Sequence, residues 1–393
     1  MRILHVSESL DPAHGGTPAV PKALASAQAG QGHDVTILTR DEPGRADAIR
    51  ESMASIPHAD KVRIVGVPRG GRLDKWVNRS ARAWVLEHAR GFDFAHLHSM
   101  WSPIPHGAAR GLSAGGVPYT LCPHGMLDDW SMARSRSKKM LHLALVSRRT
   151  MRRCAFIHAL SEHEADCVRS FGFGPPVEII GNGVQPAEYE SIPDPGEFRA
   201  AHPVLGDGPY IVFLGRLHPG KGLDLLTSAF GRVAGRFPDA RLVLIGPDAG
   251  SRADVERIAG ESGVADRVVL PGPVYGREKL AALAGAVCSA LPSEHEGFSV
   301  AICEALACGT PVLISPECHF AEVERAGAGV VAERRTDAIA GALASMLEDP
   351  DKAAAMGRKG RELVFERYTW PGVAGRCVEL YRNHAQELRT HGR

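Results

Sequence analysis

The sequence predicts an α/β protein made of two doubly wound parallel sheets. Three observations carry this. Apolar runs of strand length alternate with helical stretches along the whole chain. Glycine and proline are generous, at 43 and 27 residues, as many tight strand–helix turns require. At 393 residues the chain is long enough for two or three domains. Apolar runs without polar alternation mark strands covered on both faces, as in parallel sheets flanked by helices.

Taken in order, the first half offers strands at 3–7, 34–39, 62–67, 94–97, 119–122, 156–159 and 177–180. The second half offers 210–214, 240–245, 268–270, 287–290 and 311–314. The segment 182–207 is rich in Pro, Gly and acids and reads as a linker. The expected domains are therefore 1–185 and 205–370, with the last helix, 371–393, interrupted at Pro371 from the stretch before it. Each half also carries the tetrapeptide SEHE, at 161–164 and 293–296. Chance and equivalent positions in two like domains both account for that.

Composition narrows the class. Hydrophobic content of 44% and charged content of 23% are ordinary for a globular chain. A net charge of +1 and 6% aromatics argue against a nucleic-acid partner. No run has the length of a transmembrane helix. The opening MRILHVSESL reads as a buried strand and not a signal peptide, so a cytoplasmic location is expected. The cysteines, 122, 154, 167, 288, 303, 308, 318 and 377, form no CxxC. They read as reduced and packed, and no metal site is expected of them.

In doubly wound sheets ligands bind beyond the carboxyl ends of the strands, and two such domains face to face place the expected site in the cleft between them. Four clusters follow predicted strands. DPAHGGT at 11–17 has adjacent glycines, Gly15 and Gly16, that let backbone approach a ligand; it is not GxGxxG. CPHGMLDDW at 122–130 sets His124 between proline and glycine on a tight turn. FLGRLHPGKGL at 213–223 offers Gly215, Arg216 and Lys221 on a glycine-rich loop, where two cations can converge on a diphosphate. It lacks GxxxxGK[ST], so ATP or GTP hydrolysis is not implied. SEHEGFSVAICEALACGTPV at 293–312 sets Glu296 and Glu304 eight positions apart. On one helix that spacing is about 12 Å of rise, too far to share an ion or a proton. Gly297 instead places Glu296 in a loop, with a helix from near Ser299 to before Gly309 and Glu304 about two turns in. The helix start between them suits a phosphate, and the carboxylates suit sugar hydroxyls.

In their joint order these residues resemble the retaining glycosyltransferases of family 4, whose GT-B fold has two Rossmann-like domains. HGGT at 14–17, PHGML at 123–127, GRLHPGKG at 215–222, IGP at 245–247 and the E-x7-E stretch at 296–312 carry the likeness over nearly all of the chain. It is most like bacterial exopolysaccharide and lipopolysaccharide enzymes. The resemblance implies an acceptor-binding first domain, onto which the last helix packs back, and a second domain that binds a UDP- or GDP-linked sugar. It implies that Arg216 and Lys221 bind the donor diphosphate, that Glu304 takes the ribose and Glu296 the sugar, and that backbone at Gly297, Phe298 and Ser299 lies near both. Gly15 and Gly16 would reach the diphosphate and acceptor, His124 the donor sugar beside its anomeric carbon, and Pro273, Val274 and Tyr275 the base. No metal or other cofactor is implied. His319 stands where family members often have Asn, which bears on donor choice.

The stretch 130–161 has no acid but eight cations, Arg134, Arg136, Lys138, Lys139, Arg148, Arg149, Arg152 and Arg153, around an apolar run at 140–146. It predicts a basic amphipathic helix, lying at the inner face of the plasma membrane or packed on its own domain. The expected partners are a nucleotide sugar and a glycan or lipid-linked acceptor. Two rivals share the fold: a sugar-nucleotide 2-epimerase and a non-catalytic sugar-nucleotide-binding protein.

Overall fold

The computed structural model describes residues 1–390 apart from Gly15, Arg72 and Leu73, with side chains through Glu387. It divides into two compact units, Met1–Asn182 together with the chain from Trp370 on, and Gly183–Thr369.

The sheet of the first unit contains β1 (Arg2–Val6), β2 (Asp34–Arg40), β3 (Arg63–Val67), β4 (Phe94–His98), β5 (Tyr119–Cys122), β6 (Ile157–Ala159) and β7 (Val177–Ile179). Their order is β3-β2-β1-β4-β5-β6-β7, and every pairing is parallel. The second sheet contains β8 (Tyr210–Leu214), β9 (Arg241–Ile245), β10 (Val268–Gly272), β11 (Cys288–Leu291), β12 (Val312–Ile314) and β13 (Gly329–Val331), ordered β10-β9-β8-β11-β12-β13. Both sheets are doubly wound, so the α/β reading holds. The strand order reverses at β1/β4 in one unit and at β8/β11 in the other, and those are the points where ligand crevices form. The predicted strands match to within a residue or two. β13 was missed: it is three residues long and itself starts on a glycine, in GAGVV, too short for a periodicity signal.

Local sequence explains the elements that frame the site. β4, FAHLH, is buried at every position, as a strand covered on both faces must be. Helix Ala19–Gly30 is buried from Val20 through Ala29. Its alanines let it fit between the sheet and helix Trp370–Thr390, which supplies Val373, Ala374, Cys377, Val378 and Tyr381 to the same core. Pro371 lies in the first turn of that helix, where the missing N–H has no partner to lose, so it starts the helix and does not break one.

Two sequence readings change. The 182–207 segment is no open linker. It holds helix Pro195–Ala201 and buries Tyr189 and Phe198 in the core of the second unit. The basic stretch is helix Arg136–His142, a wide π-type turn Leu143–Ser147 and helix Arg148–Met151. Leu143 and Val146 point into the domain, while Met140, Leu141 and Leu145 are 43%, 53% and 61% exposed. No helix among the described residues is long and apolar enough to cross a membrane. All eight cysteines are free thiols.

Candidate active site

In the second unit the loops leaving β8 and β11 are tied together. The Glu294 N–H donates to the Gly220 carbonyl at 2.8 Å. Gly222 has φ +68°, and a Cβ there would stand 2.2 Å from the Pro292 carbonyl oxygen. Only glycine satisfies both the left-handed backbone and the close approach. Gly246, in the IGP turn after β9, is constrained in the same way, with a would-be Cβ 1.9 Å from the Gly215 carbonyl. The loops after three adjacent strands thus close on each other around the mouth of the sheet.

The charged groups on these loops are paired. Lys221 Nζ lies 2.5 Å from Glu296 Oε1, which also accepts from the Ser293 hydroxyl at 2.7 Å. The Glu296 N–H donates to the Glu317 carbonyl at 3.1 Å, fixing the loop from the other side. Glu304, on helix Val300–Ala307, pairs with Lys279 at 2.7 Å. Burial pulls the Lys279 ammonium down, but Glu304 and Glu188 outweigh it and the pKa stands above its ordinary value. Arg216 is exposed, and its guanidinium has no hydrogen bond or ion pair among the described residues. The start of helix Val300–Ala307 is uncapped by any side chain, with Ser299 at the cap position. Free N–H groups, a free guanidinium and a loop lysine therefore collect at the β8/β11 switch point, an anion site by construction.

Not every expected residue presents its side chain there. Phe298 is half-buried and packs its ring against the core, 5.4 Å from Phe320 and 5.7 Å from Tyr368. Val274 is buried, whereas Tyr275 is 75% exposed beside it and Pro273 is exposed. His319 has φ +51°, a left-handed conformation in which both Asn and His are enriched. Its ring stands 5.7 Å from that of His295.

In the first unit the loop after β1 is anchored by Asp11, whose carboxylate is held by Arg45 at 2.6 and 2.7 Å. Gly15 lies outside the described residues. Gly16 is exposed, and a Cβ on it would meet nothing within 4 Å, so packing does not demand glycine there. His124 and Gly125 both take left-handed backbone, φ +57° and +72°. That turn is pinned by Glu164, which the sequence reading passed over. The Gly125 N–H donates to Glu164 Oε1 at 2.6 Å and the Leu160 N–H to Oε2 at 2.7 Å. Burial raises the Glu164 pKa to about 7 against the pull of those two donors. The SEHE repeat was the available signal, although the two copies are not topological equivalents. One follows β6 and the other β11, whose counterpart in the first sheet is β4.

His124 is also one of a buried group of histidines that sequence reasoning did not assemble. His98 on β4 and His5 on β1 join it by ring-to-ring contacts of 3.1 and 3.0 Å, and His96 on β4 and His158 on β6 form a second pair at 3.2 Å, linked to the first through Tyr381 and Gln28. The HLH of β4 was the clue, since residues i and i+2 of a strand share a face.

Comparison with known proteins identifies the family. The profile described as Glycosyl transferases group 1 matches residues 195–363, and that of Glycosyltransferase Family 4 matches 14–188. The chain belongs to this family of nucleotide-sugar glycosyltransferases. It is 28% identical, across 97% of its length and 98% of the relative's, to a GDP-mannose-dependent alpha-(1-6)-phosphatidylinositol monomannoside mannosyltransferase of Mycobacterium tuberculosis. The enzyme of that name from Mycolicibacterium smegmatis is 30% identical over 68% of this chain and 70% of its own. Among solved structures, Anabaena Alr3699/HepE in complex with UDP has a TM-score of 0.77 at 18% identity, covering 98% of this chain and 100% of that one. Its fold, like that of the other neighbours, is GT-B.

The buried histidines set the acid stability of the first unit. Burial lowers His124 to about 3 and His5, His106 and His158 to about 4, and takes His96 and His98 well below their ordinary value. Below about pH 6.5 the unfolded chain binds protons that the folded unit refuses, and each such group then removes about 1.4 kcal/mol per pH unit. Glu164 and Glu8 work the other way, because their raised pKa values favour the folded state as pH falls, but they are two groups against six. The net loss is on the order of 6 kcal/mol at pH 5.5, comparable to the whole stability of a domain. Calorimetry at pH 7.5 and 5.5 should show the first unit's transition collapse while the second unit's persists. A first-unit transition that moves by no more than a few degrees would refute this account.

Proposed function

We propose that the chain is a retaining, metal-independent hexosyltransferase that moves a sugar from a GDP- or UDP-linked donor to a glycan or lipid-linked acceptor of a bacterial surface polysaccharide or glycolipid. The observation that carries this reading is the pair of lysine–carboxylate contacts, Lys221–Glu296 and Lys279–Glu304, on either side of an uncapped helix start at the β8/β11 switch point. A donor diphosphate fits the helix start, Arg216 and Lys221. The ribose fits Glu304 and the transferred sugar fits Glu296, both in the second unit; in the first unit, His124 suits a sugar hydroxyl. The acceptor oxygen bonds to the anomeric carbon on the face that the diphosphate leaves, and the leaving phosphate oxygen takes the acceptor's proton. Positive charge grows on the sugar and negative charge on the leaving group, which Arg216, Lys221 and the helix N–H groups stabilise. Loss of one such donor commonly lowers the rate by about 10²–10³. With cations already at the leaving group, a divalent ion has no necessary part.

The relatives make GDP-mannose the first donor to try, with a phosphatidylinositol mannoside among the acceptors. Transfer should proceed in EDTA and yield an α-linked product from an α-linked donor. Dependence on added Mg²⁺ or Mn²⁺, or an inverted product, would overturn the mechanism. Epimerised donor appearing without any acceptor would replace it with the epimerase reading.

The two carboxylates should separate in their effects. Glu304→Ala removes the proposed ribose contact and strands Lys279, so affinity for the free nucleoside diphosphate should drop about 10- to 100-fold, the worth of a hydrogen bond to a charged group. Glu296→Ala should leave that affinity nearly intact and lower kcat. Equal losses of nucleotide affinity in both variants contradict the assignment.

Acceptor delivery at an anionic bilayer is the remaining part of the proposal. Arg82, Arg110, Arg149 and Arg153 surround a cavity of about 270 Å³ whose lining contains no carboxylate. Burial together with the charges of Arg149 and Arg82 pushes the Arg110 pKa down. Exposed Met140, Leu141 and Leu145 lie on the same basic stretch. Together they suit phosphorylated headgroups and the apolar layer below them, each cation near the surface being worth about 1 kcal/mol. Co-sedimentation with vesicles containing anionic lipid should be lost at high salt and in the Arg110→Gln/Arg149→Gln/Arg153→Gln variant. Absence of binding at low salt would remove the bilayer from the proposal.

A further inference from the structure

The buried histidines of the first unit form a chain whose every proton can be placed. Ile180 supplies the starting point, because its carbonyl oxygen can only accept. His158 Nε2 lies 2.7 Å from it and must carry a hydrogen. A neutral imidazole has one N–H, so His158 Nδ1 is bare and accepts from His96 Nε2 at 3.2 Å. His96 Nδ1 is then bare in turn and takes the Tyr381 hydroxyl proton at 2.6 Å. With its proton committed, the Tyr381 oxygen accepts from the Gln28 amide nitrogen at 3.4 Å, the longest link. That orients the amide so that Gln28 Oε1 faces His5 Nε2 at 2.7 Å, which must donate. His5 Nδ1 accepts from His98 Nε2 at 3.0 Å, and His98 Nδ1 accepts from His124 Nε2 at 3.1 Å. Seven hydrogen bonds run in one direction from His124 to the Ile180 carbonyl.

We propose that this one-way chain fixes His124 as the Nε2–H tautomer, so that its ring offers a bare Nδ1, an acceptor and never a donor, to a hydroxyl of the transferred sugar. The proposal rests on the reading of His124 as a sugar-binding residue. His98, His5, Gln28, Tyr381, His96 and His158 act as positioning residues, and none of them need touch substrate. The Cys122 thiol, 3.6 Å from Nδ1, donates a weak S–H bond to it, which a sugar hydroxyl would displace. Burial keeps that sulfur protonated and keeps the five rings neutral at pH 7, which the one-proton-per-ring argument requires. The consequence for chemistry is twofold. A neutral ring does not repel positive charge developing on the sugar, and an acceptor at Nδ1 selects a sugar hydroxyl over a carbonyl or phosphate oxygen at that position.

The nitrogens of His5, His96 and His98 are close enough to raise the alternative of a metal site. The geometry does not favour it. The His96 and His98 rings are stacked, centroids 4.4 Å apart and 13° from parallel, so their lone pairs lie in near-parallel planes and do not converge on one ion. Both nitrogens of each of the three rings are also engaged in the chain.

The test is the tautomer itself. In the full chain with ring-¹⁵N histidine at pH 7.5, long-range ¹H–¹⁵N correlation, assigned with His124→Gln, should show His124 protonated at Nε2 and bare at Nδ1. Tyr381→Phe interrupts the chain at its middle and frees the Gln28 amide. The His124 signals should move toward a tautomer mixture, and kcat should fall about tenfold, the worth of one hydrogen bond, with nucleoside diphosphate affinity unchanged. A loss of packing alone would shift the melting temperature without moving the tautomer. The proposal is overturned by a wild-type His124 protonated at Nδ1 or at both nitrogens, by His124 signals that ignore Tyr381→Phe, or by stoichiometric zinc retained on these rings. If instead no sugar is transferred to any acceptor, the functional reading fails while the spectrum still decides the tautomer.

Discussion

The contact on which the second unit's site depends is the 2.5 Å pair between Lys221 and Glu296. It exists because two loops leave neighbouring strands in opposite directions and are drawn together again by the Gly220–Glu294 backbone bond and by the side-chain-free Gly222. A lysine alone at such a mouth would be mobile, and a carboxylate alone would repel a diphosphate. Held against each other they are ordered and locally neutral. In the proposed function an arriving diphosphate competes with Glu296 for the ammonium, and a sugar hydroxyl offers Glu296 a donor in exchange. The Lys279–Glu304 pair repeats the arrangement on the other side of the helix start. Charge at this site is stored in pairs, and Arg216 is left over as the guanidinium without a partner among the described residues.

Much of that unit was legible in the sequence. The strand–loop–helix–strand reading of SEHEGFSVAICEALACGTPV placed Glu296 in the loop and Glu304 in the helix, and the structure gives helix Val300–Ala307 between β11 and β12. It was legible because glycines at 297 and 309 punctuate an apolar run, and glycine constraints act locally. Lys279 was not. It sits in an ordinary-looking helix, GREKLAALA, and gains its meaning from a partner 25 residues away. β13 escaped because three residues carry no period. The 182–207 segment misled because its Pro and Gly content, usual in linkers, here surrounds Tyr189 and Phe198, whose rings anchor it to a core the sequence does not show.

The first unit shows the opposite balance. Its fold followed from the apolar strands, but its chemistry lies in polar residues scattered over 376 positions of sequence, from His5 to Tyr381. Each histidine looked like an isolated exception in an apolar strand. Buried polar side chains persist only when their hydrogen bonds are made, and here each ring satisfies the next. Glu164 is part of the same economy of burial: its two oxygens take up backbone N–H groups at the turn that carries His124. Loops and helices can be read one at a time. A network closed by the last helix of the chain cannot.

The two units thus handle charge in different ways, and the proposed reaction gives a reason. In the reaction proposed here the second unit presents cations where the leaving diphosphate would gain negative charge. In that proposed reaction the charge that develops at the sugar is positive, and a protonated imidazole beside it would oppose it. A solvated histidine, with its ordinary pKa near 6.5, would be partly protonated at neutral pH. Burial against four other neutral histidines removes that charge, and the hydrogen-bond chain settles which nitrogen is left to accept. The acid sensitivity of the first unit and the neutrality of His124 then have one origin. The burial that makes the unit fragile below pH 6.5 is what keeps an uncharged acceptor where a cation would be unfavourable.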